Sequence, residues 1–396
     1  SLGHVKHFKE KKLKKSVVIR APLLSSSGYG VHSRQIFKWL ISREDFQVFS
    51  QVVQWGITSW MINPEYDNGI VGEIMKRSGQ KETPGPFDIS FQVQLPDEWD
   101  PNLGKFNIGV SAVVETTSCN PKWIECCNQM DAVIVPSNHA KKCLENTGEL
   151  KVPVFVVPES FIEEIEIENL EPLNLELNTK FNFLVFGQLT GNNSENDRKN
   201  ILNTMKWLFD VFKDDPDVGI ILKTNQGTGT KIDRKLTKNT ITNLISAHRK
   251  GPYPKVHMLH GNMSAREVAS LYKEPSLKCV VSLTRGEGYG LPLLEASASG
   301  VPVMVTNWSG HLDFMKLGKF IPIDFKMKEI HETRVDGRIF LPGMLWAEPS
   351  EQDFKKKVKK FREKPDIPKK WAEDISEKIK STKSQREICK KYDITL

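Results

Sequence analysis

Short apolar, β-branched runs alternate with longer stretches of helical periodicity along most of the chain. In the first part, this pattern predicts strands at residues 17–20, 107–114, 132–135 and 154–157, and helices at 31–41, 121–130 and 138–146. Strands that alternate with helices are typical of βαβ units and of a parallel sheet. The first part of the chain is therefore predicted to be a doubly wound domain.

A second series of the same kind follows a segment that is rich in glutamate. Residues 159–176 contain seven glutamates and little periodicity, and we interpret them as a linker between domains. Beyond the linker, strands are predicted at residues 181–186, 218–222, 256–259, 279–283 and 301–305, and helices at 200–212, 233–248, 265–272 and 291–299. Phe354, Val358 and Phe361 then recur at helical spacing, which predicts a helical tail.

The sequence thus predicts an α/β protein with two Rossmann-like, doubly wound domains. The predicted parts are an N-terminal domain at 1–158, an acidic linker at 159–180, a C-terminal domain at 181–349, and helices at 350–396 that pack back toward the N-terminal domain. Ligands of open α/β sheets bind beyond the carboxyl ends of the strands, so two such domains indicate a cleft between them. Functional residues are expected in the loops that follow strands.

The apolar content shows no sign of a membrane segment. No run of about eighteen apolar residues occurs, and the lysine-rich residues 1–16 are not followed by the apolar stretch of a signal peptide. The six cysteines form no C-x-x-C pair, which fits free thiols in a reducing compartment. These features predict a soluble, cytoplasmic protein.

The formal net charge of +7 is concentrated at the two ends of the chain. Residues 1–50 carry ten lysines and arginines against three acidic residues, and residues 351–396 carry fifteen against nine. Such segments can face a polyanion, which leaves nucleic-acid binding and peripheral membrane contact open. A solvated terminus and a lysine-covered surface helix would explain the same charges.

The most informative motif lies at residues 284–296, with the sequence T-R-G-E-G-Y-G-L-P-L-L-E-A. It follows a predicted strand and opens a helix whose first turn contains Pro292, where a missing N–H group costs nothing. Its glycines allow close approach of a ligand, and a helix N-terminus suits a diphosphate. Glu287 and Glu295 can both face the cleft and accept hydrogen bonds from sugar or ribose hydroxyls. Glycines alone would also fit an ordinary strand–turn–helix.

This motif resembles the E-x7-E motif of the retaining GT-B glycosyltransferase superfamily, which includes glycogen and sucrose synthases and bacterial mannosyl- and glucosyltransferases. The resemblance extends to residues 296–303, 307–314 and 346–349, and more loosely to 114–117 and 131–137. It implies a GT-B fold and places Glu287 on the donor sugar and Glu295 on the nucleotide ribose. It also implies that the backbone N–H groups of Gly288, Tyr289, Gly290 and Leu291 bind the nucleotide-sugar.

A second group of candidate residues follows the first strand of the C-terminal domain. Family members usually carry an arginine directly after the glycine at this position and a lysine just before the next helix, both on the donor phosphates. Lys199 is similar to that lysine, whereas Gln188 replaces the arginine and Arg198 can supply its charge. Positive charge there would stabilise a departing nucleoside diphosphate.

The N-terminal domain contributes two weaker candidates. Gly28 and Gly30 follow the first strand, where relatives carry a glycine loop near the phosphates and the acceptor. Glu115 lies where many relatives carry an active-site histidine, and both a catalytic role and a capping or acceptor-binding role are open for it.

No metal or further cofactor is implied by the sequence. Asp215 and Asp217 match a D-x-D pattern only by letters, because they lie in a turn between a helix and a strand. His257 and His260 lie three apart in a predicted strand and therefore point to opposite faces. The expected donor is a nucleotide-sugar, with a UDP-sugar favoured over a GDP- or ADP-sugar.

The sequence therefore predicts a retaining glycosyltransferase that moves a hexose to a hydroxyl of a polysaccharide, a lipid-linked molecule or a small molecule. One alternative is transfer to hydroxymethylated pyrimidines in DNA, because Trp55 and Trp60 could stack on bases beside the basic ends. An alternative of another class is a non-catalytic partner protein that binds a sugar nucleotide, and the intact glutamate pair argues against it.

Overall fold

The computed structural model describes residues 13–188, 193–224 and 230–396. Most of the basic N-terminal segment, residues 1–12, and the polar loop at residues 189–192 lie outside the described residues. Within the described ranges, no helix is both long and apolar enough to cross a membrane.

The N-terminal part contains a six-stranded parallel sheet with the strand order β2-β1-β3-β4-β5-β6. Its strands are β1 (Lys15–Ala21), β2 (Phe46–Val52), β3 (Phe87–Val93), β4 (Gly104–Val110), β5 (Ala132–Val135) and β6 (Val154–Val156). The helices of this part are α1 (Gly28–Ser42), α2 (Ile70–Lys76), α3 (Pro121–Asn128) and α4 (Asn138–Thr147). Helices cover the sheet, so β5 is entirely apolar and buried, as is the central part of β1 at residues 17–19.

The C-terminal part contains a second six-stranded parallel sheet with the strand order β12-β11-β10-β7-β8-β9. Its strands are β7 (Phe181–Phe186), β8 (Val218–Thr224), β9 (Lys255–His260), β10 (Leu277–Ser282), β11 (Val303–Thr306) and β12 (Ile321–Ile323). The helices of this part are α5 (Ile201–Val211), α6 (Lys231–His248), α7 (Ala265–Leu271), α8 (Leu291–Ala298) and α9 (Leu312–Met315). Counted from β7, the order is that of the Rossmann fold, with its reversal between β7 and β10.

The last part of the chain contributes a hairpin and three helices. The elements are β13 (Phe325–Glu329), β14 (Leu345–Pro349), α10 (Glu351–Glu363), α11 (Asp366–Thr382) and α12 (Gln385–Thr395). Phe354 of α10 and Ile379 of α11 pack in the cores of the C-terminal part. Tyr392 of α12 packs in the N-terminal core, where its ring stacks on Trp39 with the centroids 4.9 Å apart. The terminal helices thus connect the two halves.

The observed strands differ from the predicted pattern in several places. The sequence pattern predicts neither β2 and β3, in which polar residues interrupt the apolar ones, nor the short strands β12, β13 and β14. The predicted strand at 107–114 ends at Val110, because Val113 has a φ of 62° and the left-handed region is incompatible with a strand. Glu115 therefore lies in a loop beyond β4 rather than at the end of the strand.

Candidate active site

The candidate residues of the C-terminal part meet where its strand order reverses. The chain leaves β7 and β10 at the same edge of the sheet, and these strands are direct neighbours. The two loops that follow them touch, because the backbone N–H of Arg285 donates to the carbonyl of Arg198 over 2.8 Å. Crevices at such reversals are the usual ligand sites of open α/β sheets.

The turn after β10 leads directly into α8 through Gly290. This glycine has a φ of 92°, which a residue with a side chain rarely adopts, and no side chain caps the helix that it begins. Leu291 is the first residue of α8, and Pro292 occupies its first turn as predicted. Pro292 has no N–H and that of Leu293 donates to the carbonyl of Gly290, so the start of α8 offers the backbone N–H of Leu291 and a partial positive charge at this edge of the sheet.

Glu287, in that turn, is held by two cations from the loop after β7. Its carboxylate lies 2.7 Å from Lys199 Nζ and 3.1 Å from Arg198 Nη1, and the side chain is 8% exposed. Burial alone would raise the pKa of Glu287, but the charges of Lys199 and Arg198 outweigh it and lower this pKa to about 2. Glu287 is thus ionised, and the sequence-predicted residues Arg198, Lys199 and Glu287 form one ion-pair cluster.

Glu115 reaches the same cluster from the N-terminal part. Its carboxylate lies 3.6 Å from Arg198 Nε. Its backbone carbonyl approaches Gly286 so closely that a Cβ at Gly286 would lie 2.3 Å from it, and a Cβ at Gly288 would lie 2.9 Å from the side chain of Ala112. The glycines of the motif therefore permit backbone contact between the two halves of the protein.

Glu295 lies one helical turn further along, in a second buried cluster. Burial raises the pKa of Glu295 to about 7, although the charge of Lys223 at the end of β8 opposes the shift. Glu159, at the start of the predicted linker, is also buried, and burial together with the charge of Glu295 raises its pKa to about 8. Glu295 and Glu159 therefore approach one another from the two halves of the chain.

The glycine loop of the N-terminal part begins α1. The side chain of Ser27 caps this helix by accepting from the backbone N–H of Gly30 over 3.1 Å. Gly30 is buried, and a Cβ there would lie 2.0 Å from the carbonyl of Ser25, so the turn requires glycine. At Gly28, by contrast, an added Cβ would meet nothing within 4 Å, so this position has room for a side chain.

Two of the residues predicted to bind the donor, Gln188 and Tyr289, do not direct their side chains into either cluster. Gln188 is exposed beyond the end of β7 and joins neither of the clusters through a contact seen in the described residues. Tyr289 is 3% exposed, its ring packs against Phe314, and its hydroxyl donates to the backbone carbonyl of Glu159 over 3.0 Å. The side chain of Tyr289 thus connects the two halves of the protein, and only its backbone remains available to a donor.

Three ionisable residues of this region are not among the residues predicted from the sequence: Arg285 and Glu159, which are buried, and Lys223, which is partly buried. Arg285 is inside the motif and is bonded to the strand β14 through Glu348, with Nε and Oε2 separated by 2.9 Å. Lys223 ends an otherwise apolar strand at its carboxyl end, which is a usable signal for a site residue. No local pattern distinguishes Glu159 from the other glutamates of its segment.

Two residues of the pairs that resemble metal ligands only by spacing contact other side chains. Asp215 Oδ2 lies 2.9 Å from Arg362 Nε, on the surface near α10. His257 Nε2 lies 2.9 Å from the hydroxyl of Thr179. Across the part of the chain that the structure describes, no group of three histidine, cysteine, aspartate or glutamate side chains could hold a metal ion.

The fold is shared with several solved structures. The sucrose-phosphate synthase from Thermosynechococcus elongatus aligns with a TM-score of 0.61 over 96% of this chain and 98% of its own, at 12% identity. The trehalose-6-phosphate protein from E. coli bound with UDP-2-fluoro glucose gives a TM-score of 0.60 over 96% and 98%, at 9% identity. The Anabaena protein HepE in complex with UDP-glucose gives 0.56 over 96% and 99%, at 12% identity.

The sequence comparison agrees with these structures. Residues 243–378 match the family described as glycosyl transferases group 1, a segment that contains both Glu287 and Glu295. No curated protein sequence matches the chain. The predicted α/β, GT-B architecture is confirmed, and residues 243–378 are similar to the glycosyl transferases group 1 family.

Proposed function

We propose that the protein is a retaining glycosyltransferase that moves a hexose from a nucleotide-diphosphate sugar, a UDP-sugar by preference, to a hydroxyl acceptor. The observation that carries the proposal is the cluster of Arg198, Lys199 and Glu287 beside the uncapped N-terminus of α8. This arrangement offers cations, backbone donors and a carboxylate within one crevice. A diphosphate next to a sugar needs all three.

Arg198 and Lys199 are the groups that we assign to the donor diphosphate. Both side chains form ion pairs with the carboxylate of Glu287. A diphosphate at the start of α8 would share these cations with Glu287 and would gain the partial positive charge of the helix. Because charge develops on the leaving diphosphate as the glycosidic bond breaks, fixed cations there favour the transition state.

Glu287 and Glu295 are the groups that we assign to the donor hydroxyls. Glu287 is ionised, so its carboxylate can accept from hydroxyls of the sugar. Glu295 lies further along α8, beside Lys223, and suits the ribose. The solved relatives with UDP-glucose or UDP-2-fluoro glucose bound support a UDP-sugar as the donor.

The acceptor hydroxyl would attack the anomeric carbon on the face from which the diphosphate departs. A bond forms from the acceptor oxygen to this carbon, the bond from the carbon to the phosphate oxygen breaks, and the hydroxyl proton passes to the departing phosphate. Glu115 is paired with Arg198, so we assign it to the electrostatic balance of the cluster rather than to proton abstraction. The chemistry then depends mainly on position and on the charges around the phosphate.

The test is a panel of UDP-, GDP- and ADP-sugars, with oligosaccharide, lipid-linked and hydroxymethylated-DNA acceptors, in which nucleotide release is measured. Lys199→Gln replaces one cation of the cluster by a neutral polar side chain. It should lower the rate of nucleotide release at least a hundredfold, as the loss of one fixed hydrogen-bond donor to the transition state does in other enzymes. Lys250→Gln, which removes a surface cation paired with Asp210, is the matched control. A wild-type rate in Lys199→Gln would contradict the assignment, and no release from any sugar nucleotide would contradict the function.

A further inference from the structure

We propose that the loop after β2, residues 54–66, is the acceptor platform, and that the acceptor is a neutral oligosaccharide with one sugar ring stacked on Trp60. The inference rests on the proposed function, because it assigns the partner of the donor site described above. From the sequence alone, Trp55 and Trp60 of this loop suggest only stacking on DNA bases.

The loop exposes an unusual number of large apolar side chains. Ile57 is 81% exposed, Ile62 76%, Tyr66 52% and Trp60 43%. Single exposed apolar residues are common on protein surfaces, but four large ones within ten residues of one loop favour a binding surface. Nothing in the described residues covers this group.

The loop is fixed against the glycine loop that begins α1. The backbone N–H of Ser26 donates to the carbonyl of Ser59 over 3.0 Å, and that of Met61 donates to the carbonyl of Leu24 over 2.7 Å. Trp60 itself forms an antiparallel bridge with Ser25. The backbone of Trp60 is therefore fixed beside the loop that follows β1, at the carboxyl edge of the N-terminal sheet.

The platform is connected through direct contacts to the turn of the C-terminal part that carries Glu287. The ring of Trp55 stacks on Tyr29 with the centroids 4.2 Å apart, and the hydroxyl of Tyr29 accepts from the backbone N–H of Ala112 over 3.1 Å. Ala112 is the residue against which Gly288 packs. A chain of direct contacts thus leads from the platform to the turn that carries Glu287, as expected for an acceptor that must meet the donor sugar.

The charges of the loop favour a neutral acceptor over an anionic one. Residues 53–69 contain no lysine or arginine, and their charged residues are Glu65 and Asp67. The neighbouring cations of α1, Arg34 and Lys38, are both paired with Asp67. DNA, phospholipid headgroups and lipid diphosphates carry negative charge beside their reactive hydroxyl and require cations nearby. A neutral sugar chain does not, and the exposed amides of Gln54 and Asn63 lie in the same loop as hydrogen-bonding groups for its hydroxyls.

Direct binding tests the platform without a sugar nucleotide. Isothermal titration calorimetry with maltohexaose, cellohexaose and mannohexaose should detect binding of at least one, and Trp60→Ala should raise its Kd about tenfold, whereas Trp60→Phe should largely restore it. Ile62→Gln tests the same surface with a smaller change in the fold. Ile394→Ala removes an exposed apolar side chain of α12, outside the loop, and is the matched control.

Each outcome decides the question. Oligosaccharide binding that is weakened by Trp60→Ala and Ile62→Gln, but not by Ile394→Ala, supports the platform. No binding of the three probes by the wild type, or equal Kd values in all variants, overturns it. Retention on hydroxymethylated DNA or on phosphatidylglycerol vesicles that depends on Trp60 also overturns it, in favour of those acceptors. Nucleotide release without an acceptor tests the donor site separately, so the two proposals can fail independently.

Discussion

Arg285 is expected to fix the loop that carries the cations of the site. Its side chain is 1% exposed and donates to the backbone carbonyls of Ser194 and Asp197, the latter over 2.7 Å. The same guanidinium forms a two-pronged ion pair with Glu348, over 2.9 and 3.1 Å. A lysine in place of Arg285 keeps the charge but cannot serve two carbonyls and a carboxylate together. The loop that ends at Arg198 would then lose its anchor.

The cost of Arg285→Lys follows from these contacts. Removal of one partner from a buried ion pair costs about 3–5 kcal/mol, and Glu348 is 18% exposed, so the lower end applies to a full deletion. Since lysine retains part of the attraction, we expect a loss of about 2 kcal/mol and a fall in Tm of about 4–8 °C for a domain of this size. A displacement of about 1 Å in the phosphate-binding loop can cost up to about a hundredfold in rate. We therefore expect at least a tenfold loss of UDP-glucose affinity as well.

The assay measures Tm by differential scanning fluorimetry and the Kd of UDP-glucose by calorimetry, at equal pH and salt. Arg362→Lys changes an arginine–aspartate pair of similar length whose arginine is 32% exposed, and exposed pairs contribute about 0–1 kcal/mol. It should leave both quantities close to those of the wild type. If Arg285→Lys binds UDP-glucose as tightly as Arg362→Lys does, then Arg285 does not position the cations.

Two further predictions concern the contact between the halves of the protein. Burial, and after it the charge of Glu295, raises the pKa of Glu159 from 4.5 to about 8, so the folded protein holds this proton more tightly and loses stability as the pH rises from about 4.5 through about 8. Glu159→Gln should therefore raise Tm at pH 8.5 but not at pH 4, and an equal change at both values would contradict the reasoning. Gly286→Ala places a Cβ 2.3 Å from a backbone carbonyl and should separate the two loops, with a larger radius of gyration in X-ray scattering and slower nucleotide release. Gly79→Ala, with nothing within 4 Å, is its control, and equal scattering curves for the two variants would refute the prediction.

Strands that are buried on both faces are predicted well from the sequence, because their apolar run is unbroken. The run at 218–222 is apolar throughout and coincides with the buried part of β8. By contrast, β3 alternates apolar residues with Ser90 and Gln92, which are fully buried. Ser90 donates to the side chain of Asn107 over 2.6 Å, and Gln92 donates to the carbonyl of Asp100 over 2.7 Å. Such partners are set by tertiary contacts, so the local pattern could not reveal that these polar positions are interior.

In the candidate site, too, the contacts that follow from the strand pattern could be predicted, and those that depend on tertiary packing could not. Glu287 and Lys199 could be brought together from sequence, because each follows a strand that the alternating pattern identified, and adjacent strands place their loops side by side. The approach of Glu159 to Glu295 could not, because the position of the chain after β6 depends on how the two sheets face one another. Side chains that meet across such a contact carry no periodic signal in either segment.

The ion pair between Arg198 and Glu115 relates donor binding to the contact between the two halves. Arg198 belongs to the loop after β7 and Glu115 to the loop after β4, and the pair between them is 3.6 Å long. A diphosphate that draws Arg198 toward the start of α8 competes with Glu115 for the same guanidinium. Arrival of the donor should therefore weaken one contact between the halves while the glycine backbone contacts remain. We therefore expect Glu115 to balance the charge of Arg198 and to compete with the diphosphate for this guanidinium.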